Sequence, residues 1–447
     1  MFGFRNNYSA SGKKKRLPVF SVLLVTCYLI AMILFFVFAF GDEKDRTGSG
    51  DEPVIETTPP PPETAEPEPE PIIFEPIPLP PPVEVKGIWV GAWFIVEPGR
   101  LERYIELCET TEINTIVIDI KEEHGYVTIP MEREGFPVND NILLENMGEI
   151  VEDLKSRDIY TIARIVCFKD PRWVARNPHL ALRDGDGNRW TDRGGISWLN
   201  PYERENWEYI AEICLRAAEL GFQEIQLDYV RFPADGNLGD IYFGEAGDEF
   251  TKAEIIAEFM KFIRDTMLKV GVRTSADVFG VIGLSNNDAQ IIGQDLDLLL
   301  PILHYISPMI YPSHFANINQ NGQGQFINGI LFETPDTEPH AVIYNTLQHF
   351  IRRHESSDAN TAIIRPFLQD FTAGYLGEGM FIPYGPEEIR AQIQAVYDAG
   401  LTQWLLWSNV SRYTTEAFTD PQPDADSVQD TDTDSSADGR PAVNPNP

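Results

Sequence analysis

The chain predicts a (β/α)8 TIM barrel, preceded by one transmembrane helix and a Pro/Glu-rich linker. Within residues 83–418, eight short runs of β-favouring residues alternate with amphipathic helical segments, the order expected of a parallel sheet with crossover helices. Several helical segments end at a glycine (Gly221, Gly271, Gly400), where a left-handed residue closes a helix. The rival open, doubly wound sheet normally carries a Gly-rich phosphate turn after its first strand, and none follows here.

The strand runs are 87–94, 115–121, 160–167, 223–230, 273–280, 305–311, 362–368 and 403–408. Between them, apolar residues at three- and four-residue spacing predict helices over 101–113, 142–154, 202–220, 253–270, 343–353 and 386–399. After the last strand only 411–418 remains, room for a short final helix.

Flanking segments have different compositions. Residues 1–16 end in Lys13-Lys14-Lys15-Arg16, and the uncharged apolar run 17–40 follows, closed by Asp42-Glu43-Lys44-Asp45. About 20 apolar residues match a bilayer core, and the cationic flank stays in the cytoplasm. The expectation is a single-pass cell-membrane anchor with the barrel outside; cleavage near Ala39-Phe40-Gly41 is the competing reading. Cys27 in this run lacks a small residue among Leu24-Val25-Thr26 that a lipoprotein site would show. Residues 41–82, rich in Pro, Glu and Thr, predict a disordered spacer in extended polyproline geometry. The acidic segment 419–447 has too little apolar surface to fold.

A formal net charge of −34 excludes nucleic acid as a partner of the main domain, because like charges repel. Outside the apolar run only Cys108, Cys167 and Cys214 remain, each in an apolar pattern, and they predict buried small hydrophobes rather than a disulfide framework.

The strand around Glu224-Ile225-Gln226-Leu227-Asp228 is the centre of the functional reading. Period-two alternation turns Ile225 and Leu227 one way and Gln226 and Asp228 the other, placing a carboxylate inside at the strand's carboxyl end. The same alternation sends Trp93 inward on the first strand, Asp119 and Lys121 on the second, Arg164 on the third, Asp277 on the fifth, Tyr311 on the sixth, Gln369 on the seventh and Trp407 on the eighth. Barrel active sites gather at these carboxyl ends. Paired carboxylates suit acid and nucleophile work at an acetal, and aromatic faces stack on sugar rings. Asp228 and Asp277, on strands about 4.8 Å apart, form the first candidate pair, with Asp119 as the alternative partner. Lys121, Arg164, Arg231, Tyr311, His314, Gln369, Trp93 and Trp407 are candidate substrate-binding residues. Structural readings compete: an ion-pair network of Asp119 and Lys121 with Arg164, a partner for Arg231 in Asp235, an ordinary loop hydrogen bond for His314, and core tryptophans.

No cofactor or metal is expected. Asp184-Gly185-Asp186-Gly187-Asn188 begins like a calcium loop, but Arg189 and Gly195 stand where the Gly and Glu are required, so a hairpin turn is predicted. Zinc-ligand pairs, a Gly-x-Ser-x-Gly elbow and a P-loop are not found in the sequence.

Val85 to Val90, Asn114 to Lys121, Glu224 to Gly236 with its Asp-Tyr-Val-Arg-Phe-Pro centre, Ala276 to Gly280 and Ile306 to His314 resemble a glycoside hydrolase family of bacterial envelope proteins first catalogued as a domain of unknown function. The resemblance spans nearly all of 83–418 and implies a TIM barrel acting on a polysaccharide or envelope glycan. A broader similarity to retaining barrels of the α-amylase type implies a nucleophilic role for Asp228. Those enzymes carry an Arg two residues before that Asp and a Glu after the fifth strand, where this chain has Gln226 and Asp277. A non-catalytic carbohydrate-binding module and a transglycosylase are the alternative expectations.

Overall fold

The computed structural model describes residues 77–141 and 143–418; the expected anchor, most of the spacer and the acidic tail lie outside them. Among the described residues no helix is long and apolar enough to cross a membrane.

Eight parallel staves close a barrel: β1 (Lys86–Val90), β2 (Thr115–Lys121), β3 (Tyr160–Val166), β4 (Glu224–Asp228), β5 (Arg273–Phe279), β6 (Tyr305–Met309), β7 (Ile363–Ile364 and Phe367–Gln369) and β8 (Trp404–Trp407). Each pairs with the next, and β8 returns to β1 through Lys86↔Trp404 and Ile88↔Leu406. Outside run α1 (Arg100–Thr110), α2 (Met147–Ser156), α3 (Arg204–Glu219), α4 (Lys252–Leu268), α5 (Asn286–Ile292), α6 (Pro339–Glu355) and α7 (Pro386–Asp398).

Alternation decides what each stave gives to the two cores. Ile116, Ile118 and Ile120 of β2 and Ile225 and Leu227 of β4 point outward, fully buried under the helices. Each such side chain contributes about 1.5–3 kcal/mol by leaving water. The opposite parity fills the barrel, where Trp89, Val117, Ile162, Phe367 and Leu405 form a separate small apolar cluster. That interior also holds Glu224, Gln226, Ser275, Ser307 and Arg365, all buried.

Helix ends follow the sequence. Gly221, Gly271 and Gly400 all take positive φ and close α3, α4 and α7. Thr251 and Glu254 form a capping box at the start of α4. Gly187 donates to the Asp184 carbonyl while Arg183 bridges Arg189 in antiparallel fashion, the hairpin expected there.

Four departures stand out, three of them with a physical cause. β1 stops at Val90, because the Gly91 amide donates to Ser411 Oγ at 3.2 Å instead of to a strand, and Ala92–Ile95 forms a helical turn. β7 is split at Arg365-Pro366, since proline has no N–H for the ladder. The short α5 was not expected. The ordered chain also begins before residue 83: the Pro80 carbonyl accepts from the Arg273 guanidinium, and Ile77 lies over Gly271. After β8 only the 3-10 turn Thr415–Ala417 remains.

Candidate active site at the barrel mouth

The carboxyl ends of β2, β3, β4 and β5 carry an ionic cluster. In the β2–β3 register Asp119 stands opposite Arg164, and in the β3–β4 register Val166 stands opposite Asp228. Leu227 pairs with Ala276, so Asp228 and Asp277 follow on one face of neighbouring staves. Alternation thus delivers four ionisable side chains to one mouth.

One guanidinium is shared. Arg164 donates Nη1 to Asp119 Oδ1 at 2.7 Å, and Nε and Nη2 to Asp228 Oδ2 at 3.0 and 2.5 Å. Burial works against the Arg164 charge, but Asp119 and Asp228 outweigh it and hold the group well above its ordinary value. Asp119 also accepts from Trp89 Nε1 at 2.8 Å. Burial pushes its carboxyl up to about 6, against the opposing pull of Arg164. The other Asp228 oxygen accepts the Tyr229 amide at 2.5 Å. Tyr229 has φ +47, a conformation that bulky residues rarely adopt and that clusters at functional sites.

Asp277 differs from both. It is 2% exposed, and its buried Oδ1 has no hydrogen-bond partner. Burial first and the Asp228 charge second raise its pKa well above the usual carboxylate range. Three carboxyls around one guanidinium in so dry a place favour the neutral form of at least one, and burial together with the Asp228 charge favours it at Asp277.

The opposite half of the mouth is aromatic. Trp407 lies 5.4 Å from Tyr311, 5.3 Å from Phe371 and 6.1 Å from Trp89, centroid to centroid, and His314 stands edge-on to Tyr311 at 5.0 Å. Arg231, at the end of β4, lies over the rings of Phe279, Tyr229 and Trp198. It donates to the Phe232 carbonyl at 2.9 Å and makes no ion pair with Asp235, whose Oδ1 accepts the Arg193 amide.

Three expected residues do not serve the mouth. Trp93 lies beyond the end of β1, on the helical turn, 51% exposed; Trp89, of the same parity, takes the inward place. Lys121 is turned away by a register shift after Asp119, and its Nζ instead meets Asp170 Oδ2 at 2.9 Å and the Val166 carbonyl at 2.6 Å. It therefore takes no part in the Asp119–Arg164 pair. Gln369 is fully buried; its Oε1 accepts from Ser313, and its Nε2 donates to Asp336 and the Phe371 carbonyl. Its polar atoms are committed to holding loops.

Trp89, Tyr229 and the half-buried Glu123 were missed. Strict alternation along Gly87-Ile88-Trp89 signals the first. The left-handed turn at Tyr229 has no signature in a Tyr, and Glu123, whose charge acts on Asp119 and Arg164, sits past the strand where parity no longer guides.

The family described as "Putative glycosyl hydrolase domain" matches residues 87–413. The chain belongs to this glycosyl hydrolase domain family. All eight staves lie within or begin one residue before the family match. A hypothetical protein from Ruminiclostridium thermocellum ATCC 27405 is 34% identical over 43% of this chain and 97% of its own, at a TM-score of 0.39. The glycoside hydrolase domain of PgaB (BpsB) from Bordetella bronchiseptica is 13% identical over 74% of this chain and 95% of its own, at a TM-score of 0.51, a likeness of fold. The α-galactosidase TtGalA from Thermus thermophilus is 14% identical over 76% and 65%, at 0.47. No curated protein matches the chain.

Proposed function

We propose that this glycosyl hydrolase domain cleaves O-glycosidic bonds of a polysaccharide or envelope glycan, with Asp277 as general acid and Asp228 as nucleophile or base. The observation that carries the reading is the buried, unpartnered Oδ1 of Asp277 beside the ion-paired Asp228. A carboxylic acid whose surroundings favour its neutral form next to a carboxylate paired with a guanidinium is the division of labour that acetal cleavage requires.

In this reading the scissile oxygen takes the proton of Asp277 as its bond to the anomeric carbon breaks. Asp228 meets the positive charge developing at that carbon, directly or through a water. Arg164, braced by Asp119, positions Asp228 through their ion pair. Half-buried Trp407 offers a ring face to the sugar, Tyr311 packs behind it, and His314 lies at the edge of Tyr311. Carboxyls from adjacent staves agree better with the roughly 5–5.5 Å of a retaining enzyme than with the 6.5–9.5 Å of an inverting one. The basic segment and apolar run at 1–40 would hold the barrel outside the cell membrane, with residues 41–76 as spacer.

The test is to incubate the full chain with a panel of labelled polysaccharides and envelope glycans and follow new reducing ends. Wild type is expected to release them and Asp228→Asn to release none. Glycan binding with no turnover, unchanged by Asp228→Asn, would make the barrel a binding module; products longer than the substrate would make it a transglycosylase.

A further inference from the structure

The mouth carries two cations that the two-carboxylate mechanism does not use. Lys169 Nζ and the Arg231 guanidinium lie 5.0 and 4.9 Å from the centroid of the same Tyr229 ring. Their charges therefore stand within roughly 10 Å of each other, inside about one Debye length at physiological salt. Neither makes an ion pair among the described residues, in a chain whose acidic residues outnumber its basic ones, 69 to 35.

Arg231 is 8% exposed, and desolvation works against its charge. The carboxylates whose charge reaches it have other partners. Asp228 is held by Arg164, Asp192 accepts from the Ile196 amide and Trp198 Nε1, and Asp235 accepts from the Arg193 amide. Among the described residues Arg231 makes one hydrogen bond, to the Phe232 carbonyl. No nitrogen of Arg231 is among the buried atoms left without a partner, so its remaining N–H groups face solvent, where an oxyanion can accept them.

The three rings around Arg231 fix where that acceptor would sit. Phe279 follows Asp277 by two residues at the end of β5, Tyr229 follows Asp228 directly, and Trp198 pairs with Lys169 in an isolated antiparallel bridge. The guanidinium is thus held in place by aromatic faces rather than by a carboxylate, at the ends of the two staves that carry the reacting pair. An oxyanion there would sit beside the chain segments that follow both reacting carboxylates.

We propose that the glycan unit bound beside Asp228 and Asp277 carries an anionic group, a carboxylate or an ester sulfate, received by Arg231 and Lys169. Placement next to the reacting bond rests on the hydrolase reading above; the preference for an anion does not. A guanidinium offers two parallel N–H donors to either oxyanion, and Lys169, against the same Tyr229 ring, adds a point charge.

Calorimetric titration of the full chain with sodium glucuronate, glucose 6-sulfate and methyl glucoside tests this. One of the two anionic sugars is expected to bind at least tenfold more tightly than methyl glucoside, with affinity falling as salt rises; the tighter of the two names the source of the charge. Lys169→Met, on a half-exposed side chain, and Arg231→Met should each lower that affinity about tenfold, several times more than they lower the affinity for methyl glucoside. Should Arg231→Met fail to fold by circular dichroism, Lys169→Met and the salt dependence of the wild type decide. Equal binding of charged and neutral sugars, or an anion preference indifferent to Lys169→Met and to salt, would overturn the proposal. Loss of turnover on every glycan with the anion preference intact would instead overturn the hydrolase reading alone.

Discussion

The barrel interior holds two ionic layers that share β4, and they are built on opposite principles. At the amino-terminal end, Glu224 and Arg365 are both fully buried and meet in a double contact, with Arg365 Nη1 donating to Glu224 Oε2 at 3.2 Å and Ser275 Oγ to Oε1 at 2.5 Å. One acid faces one base, and both Glu224 oxygens are satisfied. Four residues further along β4, about 13 Å at 3.3 Å per residue, Asp228 belongs to a layer of three acids and one guanidinium. There Asp277 is left with an unpartnered oxygen. A balanced buried pair holds a fold together, whereas an unbalanced one stores a proton and a charge where a ligand can use them.

The largest expected contrast is between the two strand-mates. Asp228→Asn should leave folding intact and lower kcat by about 10⁴-fold, the loss typical when an acting acid–base or nucleophilic group is removed. Glu224→Gln should do the reverse. It strands Arg365, costs about 3–5 kcal/mol of stability in urea denaturation, and leaves kcat of the folded fraction near wild type. A stable Glu224→Gln beside an unfolded Asp228→Asn would invert the comparison.

Asp277 sharpens it within the upper layer. Asp277→Asn keeps the shape and removes an acid that is neutral when folded, so stability should hold or rise. Hydrolysis should fall about 10²–10⁴-fold, least for substrates with good leaving groups that need no proton. A kcat that falls equally for nitrophenyl and sugar leaving groups would remove Asp277 from the acid role.

Asp119 adds a pH dependence to the upper layer. Its folded pKa of about 6 lies above the unfolded value near 3.9, so the folded state binds the proton more tightly. Its contribution to stability is therefore greatest below about pH 4, declines as pH rises through 6, and stays lower above. The full swing is up to roughly 3 kcal/mol at 1.36 kcal/mol per unit. Urea midpoints of wild type and Asp119→Asn at pH 4 and pH 7 read it as a difference. The wild type should gain relative to the variant on acidification, and a constant difference would place the Asp119 pKa where an exposed carboxylate has it.

How far the sequence went follows the same division. Alternation works wherever a stave runs straight, and Asp119, Arg164, Asp228, Asp277 and Trp407 all stand on the inner face it assigns. It fails where the backbone changes course for reasons that lie elsewhere in the chain. Trp93 left the barrel because Ser411, over three hundred residues away, takes the Gly91 amide. Lys121 was turned by a register shift toward Asp170, whose position no local pattern reveals. The pairing of Glu224 with Arg365 was equally hidden, since 141 residues separate them and parity says which way a side chain points but not how far it reaches.

The smallest test concerns one proton donor. Trp89→Phe keeps a ring near Trp407 and Arg164 but deletes the Nε1 donation to Asp119. A donated N–H favours the ionised carboxyl, so its loss should move the Asp119 pKa further up and cost about 1 kcal/mol where that group is ionised. At pH 8 the variant should therefore be less stable by that amount, and at pH 4, with Asp119 protonated in both proteins, the gap should narrow. Arg164 keeps its bonds to Asp228 in either case, so kcat should change by less than about tenfold. An equal stability loss at both pH values would mean that Trp89 acts by filling space and that the upper layer holds its charges without it.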